Sequence, residues 1–446
     1  MEKRGESLKQ EIEVVAKRFL EKIEGKEIQI ISHFDTDGIT SAAIIIKTLK
    51  ELDKTFSVKI VKNLEEKIIA NLQKDKITLF LDLASNSLNY IKKQELKDVF
   101  IIDHHEIVQN IPENIYIINP ELNSQEKISC SGLTYLFCKE IIPEKKELAK
   151  LAVLGMIGDC LEKNIDKLNN QILVEGEIKK KRGLLLYPST RPLDKVLEFT
   201  SNFYIPEITG DSQAINLFLK ETGLKPKNGK YKSLIEMDEQ EMSNIITALL
   251  LKIPKTKNQE NLVGDIFLIK FFNKLEDARE LSAKINACSR LGESGVAVKL
   301  CLEIQSAKKT AETLYAKYRH LIISALEFAR KTSKIQGKGY EIINAKTEIK
   351  DTIIGTIASI LSNSPLYEDG TIIIAMANCE DKIKISSRTV GKNGRNVREI
   401  LYNIISKIGG EVGGHKYAAG GLIEKSREEE FINMLKKNLE IEVVKI

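Results

Sequence analysis

Five histidines occur in 446 residues, and two of them are consecutive, in the stretch DVFIIDHHEI over 98–107. The pair follows an apolar run, Val99 to Ile102, and a carboxylate, Asp103. Two other apolar runs end in residues of the same chemical kind. IQIIS (28–32) leads into His33-Phe34-Asp35-Thr36-Asp37-Gly38, and ITLFL (77–81) leads into Asp82. A further acid, Asp159, follows Gly158 at the end of a helical pattern. Taken singly, an Asp after a strand is most often a helix cap, and a lone His a satisfied core or surface group. Together, at successive strand ends, these residues would crowd like charges at one crevice unless cations neutralised them. Mixed Asp and His donors suit divalent ions of intermediate hardness, Mn²⁺ first, with Mg²⁺, Co²⁺ or Zn²⁺ as alternatives. Two such ions about 3.5–4 Å apart can share an Asp oxygen, hold a hydroxide and clamp a phosphoryl group. The chemistry indicated is hydrolysis of a phosphate ester.

Such residues converge only if the strands that carry them lie side by side. Leu8, Ile12, Val15, Phe19 and Ile23 recur at helical spacing, giving an amphipathic first helix. Buried-type strands follow at 28–32, 56–61, 77–83 and 99–103, alternating with helical patterns at 41–49 and 63–74. That alternation predicts an α/β fold with a doubly wound, mostly parallel sheet, where ligand groups gather at the carboxyl ends of strands. A helix over 145–158 carries Asp159 towards the same edge. The pattern then loosens over 161–260, which reads as an inserted helical subdomain, and its KKKR run (179–182) reads as a solvated face. Helical patterns return over 275–290 and over a long charged stretch, 305–332. The last hundred residues form a smaller α/β unit: a helix at 355–361, strands at 371–377 and 382–388, a helix at 396–407, and the glycine-rich loop GGEVGGHKYAAGG.

Length alone favours two or three domains. With 42% hydrophobic and 29% charged residues the chain is of globular type, and no apolar run is long enough to span a bilayer. The charged start, MEKRGESLKQEIE, has no signal-peptide core, so a cytoplasmic protein is expected. Six scattered cysteines without a CxxC pair read as small buried hydrophobes, not as a zinc site. A net charge of +5 permits a polyanionic partner without establishing one.

HFDTDG, Asp82, DHH and GMIGD, in that order, resemble the motifs of the DHH phosphoesterase superfamily. GGHKYAAGG resembles the glycine-rich histidine loop of its DHHA1 domain, and KINACSRLGESGVAVKLCL resembles the INAAGRLG segment of RecJ nucleases. Across nearly the whole chain the nearest likeness is to archaeal RecJ-like nucleases of the GINS-associated branch. The resemblance implies a DHH domain over 1–304 with an insertion at about 165–270, a connecting helix over 305–335, and a DHHA1 domain over 336–446. It makes His33, Asp35 and Asp82 ligands of one metal. Asp37, Asp82, His104 and Asp159 would hold the other, with Asp82 bridging. His105 would face the scissile phosphate, with Asp103 behind the histidines to orient them. Asn286 and Arg290 would contact nucleic-acid phosphate. Ser386 and Arg388 would grip a terminal phosphate, and His415, beside Gly413 and Gly414, would meet the substrate across a cleft. Cys288-Ser289 stands where the bacterial segment has Ala-Gly, and no oligonucleotide-binding module is expected.

The function so implied is a metal-dependent exonuclease on single-stranded DNA or RNA. It would release nucleoside monophosphates in replication or repair, with GINS and the replicative helicase as partners. Two alternatives stand beside it: a phosphodiesterase for short oligonucleotides or cyclic dinucleotides, and a replisome scaffold that binds GINS.

Overall fold

A computed structural model describes residues 7–107, 109–122, 126–199, 205, 208, 211–252, 262–364, 367–391 and 393–440. The strand patterns of the first 120 residues become β1 (Ile28–His33), β2 (Phe56–Val61), β3 (Ile77–Leu81), β4 (Val99–Ile102) and β5 (Ile115–Ile118). They form one sheet in the order β2-β1-β3-β4-β5, every neighbouring pair parallel. Period-two alternation gives each strand two apolar faces. Ile28, Ile30, Leu79, Leu81, Phe100 and Ile102 pack with the helices Leu8–Lys22, Thr36–Glu51, Cys130–Ile141 and Ala149–Gly158. Ile31, Phe80, Val99 and Ile101 pack on the other face with Ile69, Leu88 and Ile91, from the short helices Glu66–Ala70 and Leu88–Lys93. Both faces are covered, so the sheet is doubly wound, and all five strands end at the same edge.

The strand β5 was not foreseen: IYII is only four residues long, and no helix separates it from β4. The helical pattern at 63–74 shrinks to Glu66–Ala70, and the one at 275–290 begins only at Ala278. Lys274–Asp277 is instead the strand β8, paired antiparallel with β7 (Val263–Phe271). With β6 (Lys179–Leu184) these make a three-stranded sheet in the order β6-β7-β8.

The chain divides into two compact units, Met1–Lys181 with Asp265–Tyr315, and Arg182–Gly264 with Ala316–Ile446. Within the second, residues 184–262 have their own apolar core, including Leu193, Leu197, Ile215, Phe218, Ile245 and Leu249. A 27-residue helix, Gln305–Lys331, precedes a six-stranded sheet. Its strands are β9 (Ile335–Gly337), β10 (Tyr340–Asn344), β11 (Ile372–Cys379), β12 (Lys382–Thr389), β13 (Glu411–His415) and β14 (Ala418–Glu424), in the order β13-β14-β12-β11-β10-β9. The glycine-rich segment expected as a loop is therefore a hairpin, β13–β14, in register with β12. Its glycines hid it, because they carry no apolar alternation.

Candidate metal centre

The helix after β1 begins at Thr36 with Asp35 as its N-cap, and Asp35 Oδ1 accepts from the Gly38 amide at 3.1 Å. Its other oxygen, Oδ2, lies 3.0 Å from His33 Nδ1. Asp35 is thus a cap and a candidate ligand at once. Asp37, one turn on, is buried. Its Oδ2 accepts from the Cys130 amide at 2.6 Å and its Oδ1 from the Ser131 amide at 2.9 Å. Those amides open the helix Cys130–Ile141, whose positive end offsets a buried negative charge.

Asp82 follows β3 in left-handed backbone, φ 60°, while its amide still donates to Ile102 O at 3.0 Å. A non-glycine residue pays for that conformation, and such strain clusters at functional sites. The turn aims the carboxylate into the crevice. Oδ2 lies 3.2 Å from His33 Nδ1, and Oδ1 lies 3.3 Å from His104 Nε2. Asp159, the C-cap of Ala149–Gly158, completes the far side, with Oδ2 at 3.4 Å from His104 Nε2. Asp37 Oδ2 is 3.9 Å from the same nitrogen.

Two donor groups result, His33 with Asp35 and Asp82, and Asp37 with His104 and Asp159; within each, the donor atoms lie within 4.8 Å of one another. Asp82 offers one oxygen to the histidine of each group. This donor set fits divalent cations. All donors named are carboxylate oxygen or imidazole nitrogen, and Asp159 Oδ2 is buried without a hydrogen-bond partner, the mark of an oxygen awaiting a cation.

The electrostatics agree. Burial works against a charged His33, yet Asp35 and Asp82 outweigh it and raise its pKa to about 10. Burial opposes charge on His104 too, but its hydrogen bond to Asp82 and the charge of Asp159 carry it well above the usual range. Burial and then the charges of Asp35 and Asp37 push Asp82 up to about 6. Burial and Asp37 raise Asp159 well above a normal carboxylate. Without cations, the crevice holds protons instead.

The two adjacent histidines differ. The side chain of His104 is 25% exposed and faces three carboxylates, whereas that of His105 is 51% exposed. His105 Nδ1 lies 2.7 Å from Asp103 Oδ1. A carboxylate only accepts, so Nδ1 carries a proton and Nε2 is directed away. The same hydrogen bond raises the pKa of His105. Buried Asp103 also accepts from the amides of Ser85, His104 and His105, at 3.1, 2.8 and 3.3 Å. Burial resists its ionisation, but His105 holds its pKa well below the usual carboxylate range.

Arg290 ends the helix Ala278–Arg290; its Nε lies 3.4 Å from Asn286 Oδ1 and its guanidinium 4.9 Å over the ring of Phe34. Phe34 separates His33 from Asp35, so Arg290 and Asn286 stand at the rim of the donor cluster. Thr36 Oγ1 donates to Ser282 O at 3.1 Å, which fixes that helix against the site.

In the second unit, Ser386 and Arg388 lie two residues apart on β12 and so share a face. Arg388 Nε donates to Ser359 Oγ at 2.9 Å, in the helix Asp351–Ser362. A Cβ on Gly355 would stand 3.0 Å from Ser386 Oγ, so this glycine opens the space above both residues. His415, on exposed β13, is opposite Ala418; burial and then the charge of Arg388 lower its pKa. Gly414 has φ 112° and would carry a Cβ only 2.4 Å from Ala418 O, while Gly413 faces open space.

Several residues here escaped the sequence reading. Ser85 and Asn119 lock the loops, since Asn119 Nδ2 donates to Ser85 Oγ at 3.2 Å and to His105 O at 2.9 Å. The signal was available: Asn119 follows an apolar tetrapeptide as Asp82 follows ITLFL. Ser129-Cys130-Ser131, Phe34 and Gly355 act through backbone amides, ring stacking or open space, which carry no sequence pattern.

Family models match three stretches: the DHH family N-terminal domain over 27–156, a DHH-CID domain over 186–265, and a DHHA1 domain over 338–440. An uncharacterized protein of Methanocaldococcus jannaschii is 30% identical over 442 residues, covering 95% of this chain and 96% of the relative. The single-stranded-DNA-specific exonuclease RecJ of Thermus thermophilus is 26% identical over 152 residues, 30% of this chain and 23% of the relative. The crystal structure of Thermus thermophilus RecJ with Mn²⁺ superposes with a TM-score of 0.62 at 18% identity, covering 96% of this chain and 54% of that one. Cdc45 of Entamoeba histolytica superposes with a TM-score of 0.67 at 13% identity, covering 95% and 98%. Among the described residues no helix is long and apolar enough to cross a membrane. The chain therefore belongs to the DHH family, carrying in order a DHH, a DHH-CID and a DHHA1 domain on a RecJ-like fold.

Proposed function

We propose that the protein is a two-metal phosphoesterase acting as an exonuclease on single-stranded DNA or RNA. The observation that carries this reading is Asp82, whose two oxygens lie 3.2 and 3.3 Å from histidines of two separate donor groups. His33, Asp35 and Asp82 would hold one ion, and Asp37, Asp82, His104 and Asp159 the other, Mn²⁺ before Mg²⁺ or Co²⁺. Bound there, the ions supply Lewis-acid stabilisation of a phosphoryl group and a hydroxide at neutral pH. His105, held by Asp103 and open to solvent, presents Nε2 to the scissile phosphate and offsets its developing charge. Asn286 and Arg290 receive the phosphate chain at the rim of the cluster. Ser386, Arg388 and His415, with Gly413 and Gly414, bind the terminal phosphate on the DHHA1 domain. The working division is a DHH domain over 1–304 with its insertion at about 165–270, a helix over 305–335 and a DHHA1 domain over 336–446. The setting is cytoplasmic replication or repair, with GINS and the replicative helicase as partners.

Strands labelled at either end, in DNA and RNA forms, incubated with Mn²⁺, test the reading. Early release of a labelled mononucleotide from one end supports it and fixes polarity. Digestion of dinucleotides alone would favour the short-substrate phosphodiesterase. The likeness to Cdc45 gives a scaffold reading its one specific support. A complete donor set, with a strained Asp82 at its centre, favours the enzyme.

A further inference from the structure

Two cavities flank the donor cluster, and their walls differ in charge. One, of about 450 Å³, adjoins His104 and is lined by Glu121, Glu126, Lys127, Ile128 and Leu161. The other, of about 210 Å³, adjoins His33, Asp82, Asp103 and His105. Its outer wall comes from the turn after β2, Lys62-Asn63-Leu64, and from the loop after β3, Leu83 to Ser87. Its two carboxylates face inward: Asp82 is turned to His33 and His104, while Asp103 is bonded to His105 and the Ser85 amide. What remains for a ligand is one ammonium, neutral amide and hydroxyl groups, and the apolar side chains of Leu64, Leu83 and Ala84. Two acids against one lysine make the His104 side hostile to a polyanion.

Resting on the phosphoesterase reading, we infer that the Lys62 cavity seats the terminal nucleoside of the substrate, with Lys62 binding the phosphate that joins it to the strand. Drug-sized ligand sites run from about 300 Å³ upwards, so the cavity has room for one nucleoside and not for a base pair. Leu64 and the Leu83–Ala84 wall cover an apolar base or sugar face. Asn63 and Asn86 offer donors and acceptors to its polar edge. Lys62 is exposed and lies outside both donor groups, so removing its side chain leaves the fold and the cation ligands in place.

The experiment compares wild type, Lys62→Ala and Lys62→Arg on a short single strand with Mn²⁺ at several salt concentrations. Lys62→Ala should raise KM at least tenfold with kcat within about threefold, and Lys62→Arg should recover most of the loss. The slope of log KM against log salt should fall by about 0.7, the loss of one phosphate contact on a single strand. An unchanged KM and salt slope in an active Lys62→Ala enzyme would overturn the assignment. Wild type inert on every strand would overturn the phosphoesterase reading instead. The cavity is then tested by anisotropy of a fluorescein-labelled dinucleotide: weaker binding to Lys62→Ala supports it, and equal binding overturns it.

Discussion

At the scale of single residues, adjacent His104 and His105 are separated by what holds them. His104 Nε2 faces Asp82, Asp159 and Asp37, whereas His105 is tied to Asp103 and half open to solvent. His104→Ala should weaken Mn²⁺ binding by about 10- to 100-fold, measured by calorimetry. His105→Ala should leave that affinity within about threefold and lower kcat instead. Asp103→Asn should resemble His105→Ala, because it changes the proton pattern of His105 without touching a donor; equal loss of metal in all three would contradict this division. A pH effect follows from the same groups. His33, with a pKa near 10, and His104, raised well above normal, hold protons at pH 7 in the cation-free protein. Binding of Mn²⁺ must expel them, so calorimetry in buffers of different ionisation enthalpy should record proton release at pH 7, and affinity should rise with pH.

At the scale of elements, the site depends on how closely the helix Ala149–Gly158 meets the start of the helix Cys130–Ile141. A Cβ on Gly155 would stand 2.0 Å from Ser131 Oγ and 2.3 Å from Asp37 Oδ1. Gly155→Ala must shift that contact, at a cost of about 1–3 kcal/mol. It should lower Tm and reduce Mn²⁺ affinity together; a variant with wild-type values of both would contradict the packing account. The motif GMIGD was legible in sequence as the approach to Asp159, but the reason for its first glycine was not. That reason is a contact with residues far away in the chain. The parallel sheet was legible because buried strands are apolar on both faces, and their polar ends marked the site. β5 and the β13–β14 hairpin were not, the first for shortness and the second because glycine carries no pattern. The orientation of His105 was hidden as well, since it rests on the pleat and turn that bring Asp103 Oδ1 to its Nδ1.

At the scale of the molecule, the cluster makes stability depend on cations. A histidine whose pKa rises on folding stabilises fully below its unfolded value, near 6.5, and loses that contribution as pH climbs to its folded value. For His33 the window runs from about 6.5 to about 10. Asp82, raised to about 6, acts in the same direction at lower pH, because its charged form is disfavoured in the folded state. In EDTA, Tm should therefore fall from pH 6.5 towards pH 10, and saturating Mn²⁺ should flatten the fall by replacing the protons. A Tm profile that is the same with and without Mn²⁺ would show that the cluster holds no cation.

The central claim is that Asp82 joins two cation sites that together cleave a phosphodiester. Its most direct test is turnover of an end-labelled single strand by wild type and Asp82→Ala, each with its bound Mn²⁺ counted. The expected result is mononucleotide release by wild type with two ions bound. The variant should lose at least one ion and slow about 1,000-fold or more, in line with the loss of a major electrostatic element of an active site. An Asp82→Ala protein that binds two ions and digests the strand as fast as wild type would contradict the account.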